Sequence, residues 1–253
     1  MENNQYIKSK IHSNREFMKS AFAEEGYESD QQKQLPQPPL TKAAISNEII
    51  KLSKDFSSVK KESDYLTLVQ ERKSHRVYKK ESLTLEQLSF LLWTTQGIKE
   101  IRGDNYATIR TVPSAGARHA FETYLAVLNV DGLKKGIYHY LPLDHSLEFI
   151  TTVDELENQV SDSLCEQKFA AKSAVVFYYS VVPYRSEWRY LLDSHKVMLL
   201  DAGHVMQNLY LSCGTIGCGT CAIAAFNQEL ADNLLKLDGK DEFVIYAAPV
   251  GVV

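Results

Sequence analysis

The sequence predicts an α+β fold: a small, mostly antiparallel sheet flanked by helices. Three observations carry this. Apolar runs of strand length are mixed with segments of helical spacing. The helical segments do not fall regularly between strands, so the βαβ alternation of a parallel sheet is missing. The longest helical candidate, "SHKVMLLDAGHVMQNLYLSCG", has little polar face, which suits a buried core or interface helix.

The elements follow in order. Residues 1 to about 60 are polar and weakly patterned, and "EEGYESDQQKQLPQPPLTK" holds Pro36, Pro38 and Pro39, so this part reads as an extended arm. Such an arm is either a mobile tail or a wrap for a partner subunit. The core begins near Tyr65, giving a domain over residues 61–253. "LTLEQLSFLLWTTQG" opens on Thr84 as N-cap with Glu86 in the first turn; Leu88, Leu91 and Leu92 share a face, and Gly97 stops the helix. "FETYLAVLNV" is β-rich and closes at Asp131-Gly132, and "GIYHYLPLDHSLEFI" reads as two strands around a turn at Asp144. "TVDELENQVSDSLC" is an amphipathic helix with Thr152 or Asp154 as cap. "AVVFYYSVV" is a continuous apolar run and therefore a central strand. In the long helix Val197, Leu200, Met206, Leu209 and Tyr210 are the apolar positions. "QELADNLLKL" is a short helix and "EFVIYAAPVG" a last buried strand.

Composition narrows the function. The chain has 253 residues, 44% hydrophobic and 24% charged, with a net charge of -4. That is an ordinary globular balance, and its sign argues against nucleic acid as main partner. No apolar run approaches the roughly 20 residues of a membrane span. The N-terminus has no apolar signal core, so a cytoplasmic location is expected. Three of the four cysteines, Cys213, Cys218 and Cys221, cluster and do not read as a disulfide framework. Their spacing lacks a fourth, downstream ligand for iron–sulfur or zinc, so no metal is expected and they read as small packing residues.

Several motifs are absent. There is no P-loop, no nucleophile elbow and no H-E-x-x-H, and "GTIGCG" has the wrong spacing and context for a dinucleotide fingerprint. Two stretches remain informative. In "ERKSHRVY", an extended backbone would turn Arg72, Ser74 and Arg76 to one side. Two guanidiniums flanking a hydroxyl suit a phosphate, although a solvated basic patch fits the same residues. In "RTVPSAGARHAFETYLAV", the flexible Pro-Ser-Ala-Gly turn beside Arg118-His119 is shaped for close approach of a flat body to the main chain.

Four stretches in this order, "RKSHR", "VPSAGARHAFETYL", "DAGHVMQNLYLSCGTIGCGTCAIAAF" and "VIYAAPVG", resemble the flavin-dependent nitroreductase superfamily and, more narrowly, its SagB-type dehydrogenase branch. The likeness runs from about residue 71 to 251. It implies a nitroreductase-like fold and a homodimer with FMN in two sites at the subunit interface. It places Arg72, Ser74 and Arg76 on the phosphate and ribityl end. It lays Pro113, Ser114, Ala115 and Gly116 against the ring from the other subunit. Ala222, Ile223, Ala224 and Ala225 pass the N5 edge, with an N–H of Ala224 or Ala225 bonding N5. The Lys-Tyr pair of azoline-oxidising members aligns with Arg189-Tyr190, which become the catalytic candidates. The basic residue that often follows the last strand has no counterpart in "APVGVV", so Arg72 and Arg76 carry that charge.

The implied activity is ping-pong hydride transfer through the flavin. The substrate is either a peptide azoline oxidised to an azole, or NAD(P)H serving reduction of nitroaromatics or quinones. Arg189 favours the second, since an arginine stays protonated where a lysine can act as base. A non-catalytic docking protein of the same fold is the competing class. Among single residues, Arg118 either faces the ligand or caps its turn, and Tyr190 is either a substrate-side acid or a core tyrosine. Trp188 packs a lid or interface, His204 is a buried histidine, and Gln207 and Asn208 make polar packing contacts.

Overall fold

A computed structural model of the chain describes residues 2–20, 26–59 and 64–253. Helix α1 is Glu2–Phe17, strand β1 Ile49–Lys51, helix α2 Tyr65–Glu71 and helix α3 Leu85–Gln96. Strands β2 (Ile98–Arg102), β3 (Ala107–Arg110), β4 (Phe121–Val127), β5 (Gly136–Leu141) and β6 (Ser146–Thr151) follow, then helix α4 (Leu156–Ser163). The last third holds β7 (Val175–Val181), α5 (Tyr184–Tyr190), α6 (Ser194–Thr215), β8 (Cys218–Thr220), α7 (Gln228–Leu235) and β9 (Phe243–Val252).

Seven strands form one sheet in the order β1-β6-β5-β4-β7-β9-β8, and their pairings are antiparallel. The apolar run expected at the centre is there: β7 lies between β4 and β9, with Phe177 opposite Leu125 and Ala248. It reads as unbroken apolar sequence because both of its faces are covered. Val175, Phe177, Tyr179 and Val181 point to a cluster shared with Leu88, Leu91 and Leu92 of α3 and Met198, Val205, Met206 and Leu209 of α6. Val176 and Tyr178 point the other way, to Leu156 and Val160 of α4 and Ala231, Leu234 and Leu235 of α7. The result is an α/β/α sandwich of the predicted α+β class.

Local chemistry explains the helix ends. The Thr84 hydroxyl accepts the Gln87 N–H at 3.2 Å while the Gln87 side chain accepts the Thr84 N–H at 2.9 Å, a reciprocal cap. Gly97 closes α3 by donating to the Trp93 carbonyl, and a Cβ there would run into the Trp93 ring. Helix α7 starts on Asn227, whose side chain accepts the Leu230 N–H. For α4 the expected caps are wrong. The helix begins one residue later, after Glu155 in the left-handed region at φ +49°, so neither Thr152 nor Asp154 adjoins its first turn.

Helix α6 has 22 residues, about 33 Å of rise. It is buried on one side only: Leu199 and Leu200 are 54% and 60% exposed, and His204, expected inside, is exposed as well. Asn208 does make the expected polar packing contact, donating to the Thr94 carbonyl, while Gln207 is exposed. Helix α2 buries no residue and presents Tyr65, Leu66 and Val69 outward.

The N-terminal segment is fastened to the domain from residue 26 onward. Strand β1 pairs with β6 at the sheet edge. Ahead of it, Glu122 Oε1 accepts the Lys42 N–H, and Glu148 Oε2 accepts those of Ile45 and Ser46. Both carboxylates are fully buried and hold His139 between them, Nε2 to Glu122 at 3.0 Å and Nδ1 to Glu148 at 2.7 Å. Arg185 meets the same Glu122 at 2.5 Å. Against burial, which pushes both carboxylates up, Arg185 and His139 hold Glu122 below the usual range, and His139 with the Ser46 and Ile45 amides does the same for Glu148; the two carboxylates in turn raise the His139 pKa against burial.

Candidate functional site

The structure gathers the expected site residues into two groups, both fixed by α6. The first lies at Tyr210, near the helix C-terminus. Its hydroxyl is 2.8 Å from Ser74 Oγ and accepts the Ala222 N–H at 2.8 Å, while the Arg72 guanidinium sits 5.2 Å over its ring. Residues 72–76 run extended beside β8, with the His75 N–H donating to the Thr220 carbonyl. Arg76 does not join Arg72 and Ser74: its guanidinium lies over the Phe169 ring instead, at 6.0 Å.

After Ala222 the chain is pinned by Ile223, whose N–H and carbonyl pair with Ala247 in an isolated bridge. Its side chain is buried in the second core, so it anchors the segment and faces no ligand. Ala224 and Ala225 are exposed, and among the described residues their N–H groups donate to nothing. A cleft of about 720 Å3 opens beside Tyr210, lined by Arg72, His75, Tyr210, Gly219 and Thr220 among others, with residues 222–225 outside its lining. The buried Thr220 hydroxyl has no hydrogen-bond partner among the described residues.

The second group lies at Asp201. Its buried carboxylate accepts the Ala115 N–H at 3.1–3.2 Å, and the Ser114 hydroxyl accepts the His119 N–H at 2.9 Å. Burial raises the Asp201 pKa, opposed by hydrogen bonds from Ser114 and Ala115. These bonds hold a turn in which Gly116 takes φ +55°, a conformation that favours glycine. Arg189 and Tyr190 pack over it: a Cβ on Gly116 would collide with Tyr190 Oη and lie 3.1 Å from Arg189 Nε. Tyr190 is half-buried at this surface and not in the core.

Arg118 caps the turn from inside, donating to the Gly116 and Tyr106 carbonyls between the rings of Tyr106 and Trp188. His119, half of the expected basic pair, carries no charge at neutral pH, because burial beside Arg110 pushes its pKa down to about 2. Arg189 donates to Tyr106 Oη at 3.1 Å and lies over the Tyr190 ring. Gln31 donates to the same Tyr106 oxygen, and Trp188 Nε1 donates to the Leu35 carbonyl, so the N-terminal strap backs this group.

Asp201 and Tyr210 are nine residues apart, which on an α-helix is about 13 Å along the axis and half a turn around it. The two groups therefore sit on opposite faces of α6, and one chain does not close them on each other. Sequence reading missed Asp201, Tyr210 and Tyr106. For Asp201 the available signal was its charge inside a largely apolar helix; Tyr106, in the turn before β3, and Tyr210, read as an apolar position, carried none. The cysteines belong to the packing: Cys213 and Cys218 are buried, and burial raises both thiol pKa values.

The model of the nitroreductase family matches residues 69–252. The chain belongs to the nitroreductase family. It is thereby an oxidoreductase by descent, and its relatives are consistent with this. A protein of Methanocaldococcus jannaschii named as a nitroreductase is 32% identical over 180 residues, which is 71% of this chain and 86% of that one. The trifolitoxin-processing protein TfxB of Rhizobium leguminosarum bv. trifolii is 29% identical over half of this chain but 36% of its own length. The microcin B17-processing protein McbC of Escherichia coli is 26% identical over 51% of this chain and 49% of its own. Among solved structures, a nitroreductase of Ralstonia eutropha superposes with a TM-score of 0.67 at 24% identity, over 87% of this chain and 94% of that one. A chain of the Escherichia coli microcin synthetase McbBCD complex, with truncated pro-MccB17 bound, superposes at 0.60 and 21% identity, covering 82% and 79%. These superpositions establish the shared fold. No helix among the described residues is long and apolar enough to cross a membrane.

Proposed function

We propose that the chain is an FMN-dependent oxidoreductase of the SagB-type dehydrogenase kind, whose site is completed by a second copy. One observation carries this reading: the elements expected to hold the flavin fall into two prepared groups on opposite faces of α6, which a two-fold pairing through that helix would bring together. The exposed Leu199 and Leu200 of α6 and the apolar surface of α2 supply a face for such a pairing. Residues 61–253 would form the FMN-binding domain, with residues 1–60 as its arm.

The donor set fits the cofactor. Arg72 and Ser74 offer a charge and a hydroxyl to a phosphate, and the free N–H groups of Ala224 and Ala225 suit a ring nitrogen. The cleft volume lies in the range of small-molecule sites. FMN, when bound, supplies hydride acceptance and donation. The chain supplies the rest. Residues 72–76 bind and orient the phosphate end. Residues 222–225 present main chain to the ring edge. Residues 113–116 of the second copy cover the ring and exclude water, and Arg189 and Tyr190 border the space left for substrate.

The likeness to TfxB and McbC, both named for processing peptides, favours a peptide azoline as substrate. A specific observation favours a second reading. Arg189 is held rigidly by Tyr106 and Tyr190, and a permanent cation stabilises charge developing on a nitro or quinone oxygen but accepts no proton. NAD(P)H would then be the electron donor, using the same pocket.

A visible spectrum of the purified protein, with its mass in solution, tests the reading. Flavin absorption at one FMN per chain in a dimer is expected. Anaerobic bleaching by NAD(P)H alone assigns the second substrate class. A colourless monomer whose melting temperature does not rise with FMN refutes the proposal, since a ligand that binds the native state must stabilise it.

A further inference from the structure

We propose that Tyr210 is the positioning residue that sets both ends of the FMN site at once, locking residues 72–76 and residues 222–225 into one unit; this rests on the FMN reading above. Three contacts converge on this side chain, and each reaches a different part of the site. Its ring carries the Arg72 guanidinium, its hydroxyl meets Ser74 Oγ, and the same hydroxyl takes the Ala222 N–H.

The direction of the Ala222 bond follows from valence. A backbone N–H only donates, so Tyr210 Oη accepts from Ala222 and keeps one hydrogen to give. The acceptor in reach is Ser74 Oγ, at 2.8 Å. Either hydroxyl can donate in the Tyr210–Ser74 pair; when Tyr210 gives its hydrogen, the serine's own is left for a ligand oxygen. Ser74 has no other side-chain partner among the described residues.

The platform itself is rigid. Leu209 and Cys213 of α6 are fully buried in the main core, so the backbone of Tyr210 is fixed by packing, while residues 72–74 and residues 224–225 are exposed. Elsewhere residues 72–78 are tied by the His75 N–H to the Thr220 carbonyl and by the Tyr78 hydroxyl to the His75 and Pro249 carbonyls. Helix α6 therefore reaches both segments through one phenol, in addition to the Ile223–Ala247 bridge and the Tyr78 bonds. It also couples them: displacing Ser74 shifts the hydroxyl that fixes Ala222, two residues before the free N–H groups.

Tyr210→Phe removes both hydrogen bonds and keeps the ring under Arg72; Tyr210→Leu removes the ring as well. In the full chain freed of ligand, amide hydrogen exchange should quicken in Tyr210→Phe at both residues 72–78 and residues 218–225, with α6 protection unchanged. Binding is then read with FMN and with riboflavin, which lacks the phosphate. Tyr210→Phe should weaken both by about tenfold, the scale of one to two neutral hydrogen bonds. Ser74→Ala should weaken FMN alone, and Tyr210→Leu should weaken FMN beyond Tyr210→Phe. Faster exchange in only one segment overturns the proposal, as does a Tyr210→Phe loss confined to FMN and equal to that of Ser74→Ala. If the unaltered protein binds neither flavin, the FMN reading falls, and the exchange pattern still decides whether Tyr210 couples the two segments.

Discussion

Replacing Gly116 by alanine puts one methyl group where Arg189 and Tyr190 meet the turn. Two costs follow. At φ +55° an L-residue with a Cβ loses about 1–2 kcal/mol relative to glycine. The methyl group also occupies space held by Tyr190 Oη and reaches Arg189 at 3.1 Å, so both side chains must swing away. Gly132 separates these costs. It takes φ +79°, yet its Cβ would have no atom within 4 Å, so Gly132→Ala carries backbone strain alone. For a chain of this size 1–2 kcal/mol is a melting-temperature drop of roughly 2–8 °C, and both variants should show it. Only Gly116→Ala should also alter steady-state kinetics, because it alone moves Arg189 and Tyr190. Scanning calorimetry and turnover on one set of samples read both effects. If Gly116→Ala keeps wild-type kinetics, or if the two variants change turnover equally, the placement of Arg189 and Tyr190 at the site is wrong.

The Glu122–His139–Glu148 cluster predicts a stability optimum on the acid side of neutrality. The carboxylates have depressed pKa values, so their contribution is present above the unfolded value near 4.3 and is lost as pH falls through the folded values. His139 has a raised pKa, so its contribution is complete below about 6.5 and is lost as pH rises through the folded value. Urea midpoints should therefore fall from about pH 6.5 upward. His139→Gln should flatten that limb, and an unchanged slope in the variant would count against a protonated His139. Arg72→Ala combined with Arg76→Ala should abolish FMN retention while leaving the melting temperature of the ligand-free protein nearly unchanged, because both side chains are exposed; undiminished flavin content would remove them from the site. Thr84→Ala should cost about 1 kcal/mol through loss of the reciprocal cap with Gln87, read as a lowered denaturant midpoint.

The parts of the fold legible in sequence are those whose cause is local. Thr84 and Gly97 bound α3 because caps act within one turn. The apolar runs of β7 and β9 were readable because burial on both faces leaves no polar positions to confuse the pattern. The hairpin of β2 and β3 escaped notice since "IKEIR" is almost wholly exposed beyond Ile98 and its alternation carries no hydrophobic signal. Three-residue β8 is too short to have a pattern at all. Glu122 and Glu148 look like the solvent side of strands, and only their distant partners, Arg185 and the amides of residues 42–46, permit their burial.

The same division runs through the site. Arg72, Ser74, the Pro-Ser-Ala-Gly turn and the Ala222–Ala225 run lie in short contiguous stretches, which is why a family resemblance could be drawn on them from sequence alone. Sequence also determined the α+β class, the long helix and the central strand. What only tertiary structure decided is which of these pieces meet. Asp201 looks like a stray polar position and Tyr210 like one more apolar position of the helix until the fold shows one gripping the turn and the other gripping Ser74 and Ala222. Arg76 parts from Arg72, and the N-terminal segment becomes a wall behind Arg189, for the same reason. A local pattern records which face of an element is apolar, whereas a contact between residues far apart in the chain depends on how packed layers orient those faces in space.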